Sequence, residues 1–131
     1  MEEKLIGFET AKLAKEKGFE HNRLFYNKDG EIFHSIDADY MGMKITYENG
    51  KPIYPAPTQT LLQRWLREEH QIFVTVTEDF YNTPGWYFNI FHGNYPTHHR
   101  ITNTELEIPP LDLYESALEL GLFEALKLIK I

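Results

Sequence analysis

Two groups of side chains in the sequence are of the types that bind zinc. The first contains His34, Asp37 and Asp39 within six residues, and the second contains His92, His98 and His99 within eight. Neither spacing favours a metal site. In an extended segment Asp37 and Asp39 share a face that His34 does not, and the neighbouring His98 and His99 point in opposite directions. We therefore expect turn and loop residues at both places, and neither a metal nor another cofactor.

The sequence offers little support for covalent or phosphate chemistry. Ser35 and Ser116 lack the glycine-flanked turn of a serine nucleophile, and the eight glycines form neither GxGxxG nor GxxxxGK. The absence of cysteine excludes disulfides and thiolate nucleophiles, and it is typical of a reducing compartment. Paired acids such as Glu68-Glu69 are typical of a solvated surface. We expect no catalytic residues, and a small enzyme is the third interpretation of the function.

A stripe of polar side chains is predicted on one face of a helix between residues 58 and 70. Its members lie within about 80° of one another, and they are Gln59, Gln63, Arg67 and His70. Arg64 lies close to this stripe, and amide and guanidinium groups can read base edges in a DNA groove. However, Glu68 and Glu69 repel a phosphate backbone, and no helix-turn-helix pattern precedes the stripe. We interpret it as a solvated face, and nucleic-acid binding by its two glutamines with Arg64 and Arg67 is the alternative.

Composition limits the class of protein. The 131 residues match one domain of ordinary size, so we expect a single domain over residues 1–131. The 15% of aromatic residues supply a packed core, and the net charge of −7 disfavours a nucleic-acid partner. The first seventeen residues are too charged for a signal peptide, and no run approaches the roughly 20 apolar residues of a membrane span. We therefore expect a cytoplasmic protein that does not bind membranes.

The first half of the sequence predicts one helix and two hairpins. Good helix formers over Phe8–Lys17 are followed by Gly18, a residue suited to a helix end. The segments RLFYN and EIFHSI flank Lys28-Asp29-Gly30, which indicates a first hairpin. Residues 43–47 and 51–54 flank Glu48-Asn49-Gly50 in the same way, and Pro52 would confine its strand to a sheet edge.

The second half predicts two helices around a hairpin. Thr58 is a candidate N-cap for a helix that places four large side chains in one stripe, namely Leu61, Leu62, Trp65 and Leu66. IFVTV and WYFNIF alternate as a strand pair, whereas the polar segment of residues 92–110 predicts one short strand near residues 104–108. Asp112 is predicted to cap a C-terminal helix. The order α-ββ-(ββ)-α-ββ-α predicts an α+β domain, with an antiparallel sheet built from hairpins and the helices packed on one face.

The C-terminal helix carries a candidate contact surface. Its apolar arc covers more than half of the circumference, so we expect it to be the most buried element. Phe123 nevertheless falls on the polar side, with Leu120 at the edge and Glu119 beside it. An aromatic side chain on a charged face is typical of a contact with a second copy or with a partner protein. Coverage of Phe123 by the segment before the helix is the alternative.

Three stretches together resemble a group of small proteins of phages and integrated elements of gut bacteria. They are FETAKLAKEKGF, APTQTLLQRWLRE and YESALELGLFEALKLI, which occur in that order in the group and span most of the chain. The resemblance implies an accessory protein of a mobile element and carries no catalytic residues with it. We therefore expect a non-catalytic protein-binding module whose partner is another protein or a second copy of the chain.

Overall fold

The predicted α+β class is confirmed by a computed structural model, which describes residues 4–20, 24–34, 47–48, 51–79, 84–93 and 99–130. The helices are α1 (Phe8–Glu16), α2 (Gln59–His70) and α3 (Tyr114–Leu126). The strands are β1 (Leu24–Tyr26), β2 (Ile32–His34), β3 (Tyr47–Glu48), β4 (Lys51–Pro52), β5 (Tyr54–Pro55), β6 (Phe73–Asp79), β7 (Gly85–His92) and β8 (His99–Thr102). Relative to the predicted order, β5 and β8 are additional.

The chain divides into two compact units, with the boundary between Thr58 and Gln59, and Ile131 is grouped with the first unit. The prediction of one domain over residues 1–131 stays a prediction. In the described ranges, no helix combines the length and the apolar character that a membrane crossing requires.

The first unit begins with the predicted helix, which ends as expected at Gly18. Gly18 has a φ of +96°, and its N–H donates to the carbonyl of Lys15. The N–H of Phe19 donates to the carbonyl of Ala14, so the two bonds together form a Schellman motif. The left-handed backbone at Gly18 favours glycine because a Cβ would be strained there.

The first predicted hairpin is also confirmed. β1 pairs antiparallel with β2, and the Asn27 side-chain oxygen accepts hydrogen bonds from the N–H groups of Asp29 and Glu31 in the turn. β5 pairs with the other edge of β1, which the sequence did not predict. β3 pairs with β4 where the second hairpin is expected, and the part of that prediction at residues 43–46 lies outside the described residues. Phe25 and Ile53 form one buried cluster of this unit, with Phe33 against it.

The second unit is a three-stranded antiparallel sheet in the order β6-β7-β8, with α2 and α3 on one face. The predicted core faces are confirmed, because Val74 pairs with Ile90 and Val76 pairs with Phe88. α3 approaches the sheet closely at Gly121, where an added Cβ would lie 2.8 Å from Phe88 Cβ. As predicted, α3 is largely buried, with six residues of its apolar arc inside: Ala117, Leu118, Gly121, Leu122, Ala125 and Leu126.

Two details of the second unit differ from the prediction. The residue at the N-cap of α3 is Leu113, with no side-chain capping bond, so the predicted Asp112 cap is wrong. The short strand lies at His99–Thr102, while residues 103–107 form turns, so the strand predicted near residues 104–108 is also wrong. This strand is too short and too polar for its period to be visible in the sequence, and pairing with β7 determines its position.

Asn103 completes the edge of β7 beyond the end of β8. Its side chain is fully buried, and its Oδ1 accepts a hydrogen bond of 2.8 Å from the Phe88 N–H. Its Nδ2 donates to the carbonyl of Pro109, and its backbone carbonyl accepts from the N–H groups of Leu106 and Ile108. The segment before α3 is therefore folded around one buried amide, because buried polar groups require partners.

Candidate functional site

One face of the β6-β7-β8 sheet points away from α2 and α3, and we call it the open face. Because side chains alternate along strands, it comprises the residues in register with Thr75, Asn89 and Thr102. These are Phe73, Thr75, Thr77 and Asp79 of β6, Tyr87, Asn89 and Phe91 of β7, and Arg100 and Thr102 of β8. The alternating buried and exposed residues at the start of β6 agree with this assignment.

The open face contains a polar pocket with a volume of about 380 Å³. Its lining consists of hydroxyl, amide, carboxylate and guanidinium side chains, namely Thr77, Asp79, Tyr87, Asn89, Arg100, Thr102 and Thr104. The volume is at the lower end of the range of ligand sites, and polar groups dominate the surface. The pocket can therefore donate and accept hydrogen bonds over most of its lining.

Asn89 forms the centre of this pocket and orients its neighbours. It is only 3% exposed, although it lies on the open face. Its Oδ1 accepts hydrogen bonds from Arg100 Nε at 3.3 Å and from Arg100 Nη2 at 2.8 Å, and its Nδ2 donates to Thr77 Oγ1 at 3.3 Å. Two bonds to one oxygen fix the plane of the guanidinium, so that Arg100 presents its charge in one orientation.

An aromatic border lies beside the pocket on the open face, toward the start of β6 and the end of β7. Phe73 and Phe91 are cross-strand partners, and Phe73 is 44% exposed. The Arg100 guanidinium carbon lies 6.0 Å from the centroid of the Phe91 ring, at the outer limit of a cation–π contact. Exposed aromatic surface is therefore adjacent to an oriented positive charge.

The turn after β8 is fixed by Glu105. Its carboxylate accepts hydrogen bonds from the Thr102 N–H at 2.8 Å and from the Thr102 hydroxyl. The hydroxyl bond is the largest cause of a Glu105 pKa below its ordinary value of 4.5, followed by the backbone bonds, and the charge of Arg100 contributes least. The Thr104 N–H in turn donates to the Thr102 hydroxyl oxygen, so this wall of the pocket is tied to the end of β8.

The three predicted partner-binding residues lie on α3. Phe123 and Leu120 are partly buried, and Lys127 Nζ lies 4.8 Å from the centroid of the Phe123 ring. The Oε1 atom of Glu119 accepts a hydrogen bond of 3.0 Å from Gln59 Nε2 on α2. Glu119 therefore joins the two helices. Binding of a partner by this surface stays a prediction.

The predicted nucleic-acid residues lie on α2, where the two amides have partners inside the unit. Gln59 is 4% exposed and donates to the Glu115 carbonyl as well as to Glu119, and Gln63 donates to the Val74 carbonyl at 2.6 Å. The guanidinium groups face solvent, with Arg64 Nε 3.8 Å from a Glu68 oxygen. The rings of His70 and Trp65 pack against each other in a T-shaped contact. The interpretation of this stripe as a solvated face is therefore wrong at the two glutamines, which pack between elements of the unit, and holds at the arginines. The arginines remain for contact with phosphate, while the amides that would read bases are engaged.

The two histidine groups are described in part. Asp37, Asp39 and His98 lie outside the described residues, whereas His92 and His99 are brought together across β7 and β8. Among the residues that the structure describes, no three His, Cys, Asp or Glu side chains form a metal-binding group.

The pocket residues were not identified from the sequence. Thr75 and Thr77 alternate with the buried Val74 and the partly buried Val76, and Tyr87 and Asn89 alternate with Phe88 and Ile90, so the period of two did indicate one face. Arg100 and Thr102 gave no such signal, because their strand was expected elsewhere. The pocket therefore depends on the position of β8, which no local pattern in the sequence indicates.

No family model, curated protein or solved structure matches the chain. The pocket, the aromatic border and the helix surfaces are therefore the observations on which a function rests.

Proposed function

We propose that this protein is a non-catalytic protein-binding module that takes its partner on the open face. The observation that supports this most directly is the position of exposed Phe73 and partly exposed Phe91 beside the fixed guanidinium of Arg100. Binding surfaces of proteins combine an aromatic or arginine anchor with a polar border. The open face supplies both on a rigid sheet.

A protein partner suits this surface better than a small molecule does. Small-ligand sites are concave and mostly apolar, and they enclose most of the ligand. The lining of this pocket is instead largely polar, and the exposed Thr75 continues the surface beyond it. A partner segment that lies across the face can bury Phe73 and also hydrogen-bond to the threonine hydroxyls.

The contacts within the pocket are those of a binding surface. Asn89 bonds to Thr77 and Arg100, and these bonds orient side chains without activating a nucleophile. An enzyme of acyl or glycosyl transfer would place a general base against a nucleophile, or a pair of carboxylates across the site. Among the described lining residues of the pocket, Asp79 supplies one carboxylate and no second carboxylate is present. We accordingly assign the pocket a role in recognition.

The proposal includes a provenance and a compartment. The likeness of the three quoted segments to proteins of phages and integrated elements supports an accessory protein of a mobile element. The lack of cysteine supports a bacterial cytoplasm. The surface of Leu120, Phe123 and Glu119 supports a second contact, in which two copies associate along α3.

The test is an affinity pull-down from host lysate with three forms of the tagged protein, read by mass spectrometry. Thr75→Arg places a large charged side chain on the open face, whereas Thr60→Arg makes the same change at an exposed position of α2. We expect the wild-type protein and Thr60→Arg to recover the same partner, and Thr75→Arg to recover at least tenfold less, a difference of about 1.4 kcal/mol.

The lysate is divided into two halves, and one of them is treated with nuclease before the pull-down. A partner that survives nuclease treatment supports a protein-binding module. Recovery of nucleic acid, with every protein lost on nuclease treatment, favours the alternative on α2. Equal recovery by Thr75→Arg and Thr60→Arg would refute the open face as the binding surface.

A further inference from the structure

His92 and His99 form a cross-strand pair at one end of the second unit's sheet. His92 is the last residue of β7, His99 is the first residue of β8, and the two are directly opposite in the register. Their ring centroids are 5.5 Å apart, with 38° between the ring planes. The two imidazoles therefore lie side by side.

This separation matches two imidazoles on one metal ion. In a tetrahedral zinc site with Zn–N distances of about 2.0–2.1 Å, the centroids of two bound imidazole rings lie roughly 5 Å apart. The observed separation of 5.5 Å is close to that distance, so a small movement of the side chains accounts for the difference. Binding also requires one nitrogen of each ring to be directed to the shared ion, through the side-chain torsions of His92 and His99.

The backbone holds the pair in place, while solvent can reach it. The neighbouring residues Ile90 and Ile101 are paired in the same ladder, which fixes the relative position of the two strands. His99 is exposed and His92 is partly exposed, so a hydrated ion has access without local unfolding. On the adjacent pair of positions, Arg100 and Phe91 point to the opposite face of the sheet, which keeps the guanidinium charge away from the ion.

We propose that His92 and His99 bind a divalent transition-metal ion of the zinc type. Imidazole nitrogen suits zinc, copper and nickel, whereas calcium and magnesium require oxygen ligands. Two protein ligands leave two tetrahedral positions, which water occupies or a second molecule fills. The site is separate from the pocket on the open face and does not depend on the function assigned there.

The experiment is calorimetric titration of untagged protein with zinc chloride, because a histidine tag would bind the metal itself. His92→Gln and His99→Gln each remove one ligand, and His70→Gln removes an imidazole that packs against Trp65 outside the pair. We expect zinc binding to the wild-type protein and to His70→Gln with the same affinity. Each variant of the pair should bind at least tenfold more weakly, and magnesium chloride should give no binding heat.

A second measurement separates loss of the site from loss of the fold. Circular dichroism should show unchanged spectra for all three variants. Zinc should raise the melting temperature of the wild-type protein and of His70→Gln, but not that of His92→Gln or His99→Gln. One zinc per chain, or one per two chains, supports the pair as the site. The proposal is overturned if zinc does not bind, if His92→Gln and His99→Gln bind as the wild type does, or if His70→Gln reduces binding equally.

Discussion

Replacement of Asn103 by alanine should destabilise the second unit more than any nearby surface change. The variant leaves the buried Phe88 N–H without an acceptor and the partly buried Pro109 carbonyl without a donor. An unsatisfied buried group costs about 1–3 kcal/mol, with the upper value appropriate to the N–H and the lower value to the carbonyl, which water can reach. We therefore expect a loss of about 2–4 kcal/mol in the free energy of unfolding.

Urea denaturation followed by tryptophan fluorescence is suited to this measurement, because Trp65 and Trp86, the two tryptophans of the chain, lie in the second unit. With a denaturant slope of about 1–3 kcal/mol per molar, the midpoint should fall by roughly 1–2 M. Thr104→Ala is the control, since Thr104 is exposed in the same turn, and it should change the unfolding free energy by less than about 0.5 kcal/mol. A loss below about 1 kcal/mol for Asn103→Ala, or equal losses for the two variants, would show that the buried amide does not organise this segment.

Three further predictions follow from other contacts. Gly121→Ala should lower the unfolding free energy by about 1–3 kcal/mol in urea denaturation, because the new Cβ would meet Phe88 and Val74 at 2.8 and 3.0 Å, and a stabilised variant would contradict this close packing. The stabilisation from the Glu105–Thr102 contact should be present near neutral pH and lost as the pH falls below about 4.5 through the lowered pKa of the carboxyl. Unfolding free energies between pH 7 and pH 3 should therefore converge for the wild type and Glu105→Gln, and a difference that does not depend on pH would refute the assignment. Phe123→Glu should convert a self-associated form into monomers, so light scattering should give a lower mass while the circular dichroism spectrum is unchanged. An unchanged mass together with unchanged partner recovery would remove the α3 surface from consideration.

The regular elements could be predicted from the sequence because their patterns are local. The hairpin of β6 and β7 alternates strictly, and the end of α1 requires only Gly18 and the carbonyls of the preceding turn. β5 was missed because its two residues include Pro55, and their pairing with β1 depends on contacts distant in the sequence. Local patterns thus revealed the elements and some of their faces, while partners between distant segments did not follow from them.

The same distinction explains why the candidate site was missed. An asparagine in a strand is ordinarily read as a turn or surface residue, because its amide competes for backbone hydrogen bonds. Asn89 and Asn103 are instead buried, and the oxygen and the nitrogen of each amide hydrogen-bond to groups from other segments. Their environment is created by β8 and the turns after it, so no single stretch of sequence contains the signal.

The two buried amides also connect the stability of the second unit to its open face. Asn103 fixes the segment that follows β8 by bonding to Phe88 of β7, and Arg100 and Thr102 lie just before it in the chain. Phe88 points to the helices, while its neighbour Asn89 points to the pocket and orients Arg100. Loss of the Asn103 amide should therefore disturb β8, which carries Arg100, even though Asn103 is not among the pocket's described lining residues. A surface whose polar groups are held by the fold in this way loses little conformational entropy when a partner binds, and this is a physical reason to propose that the open face is the binding surface.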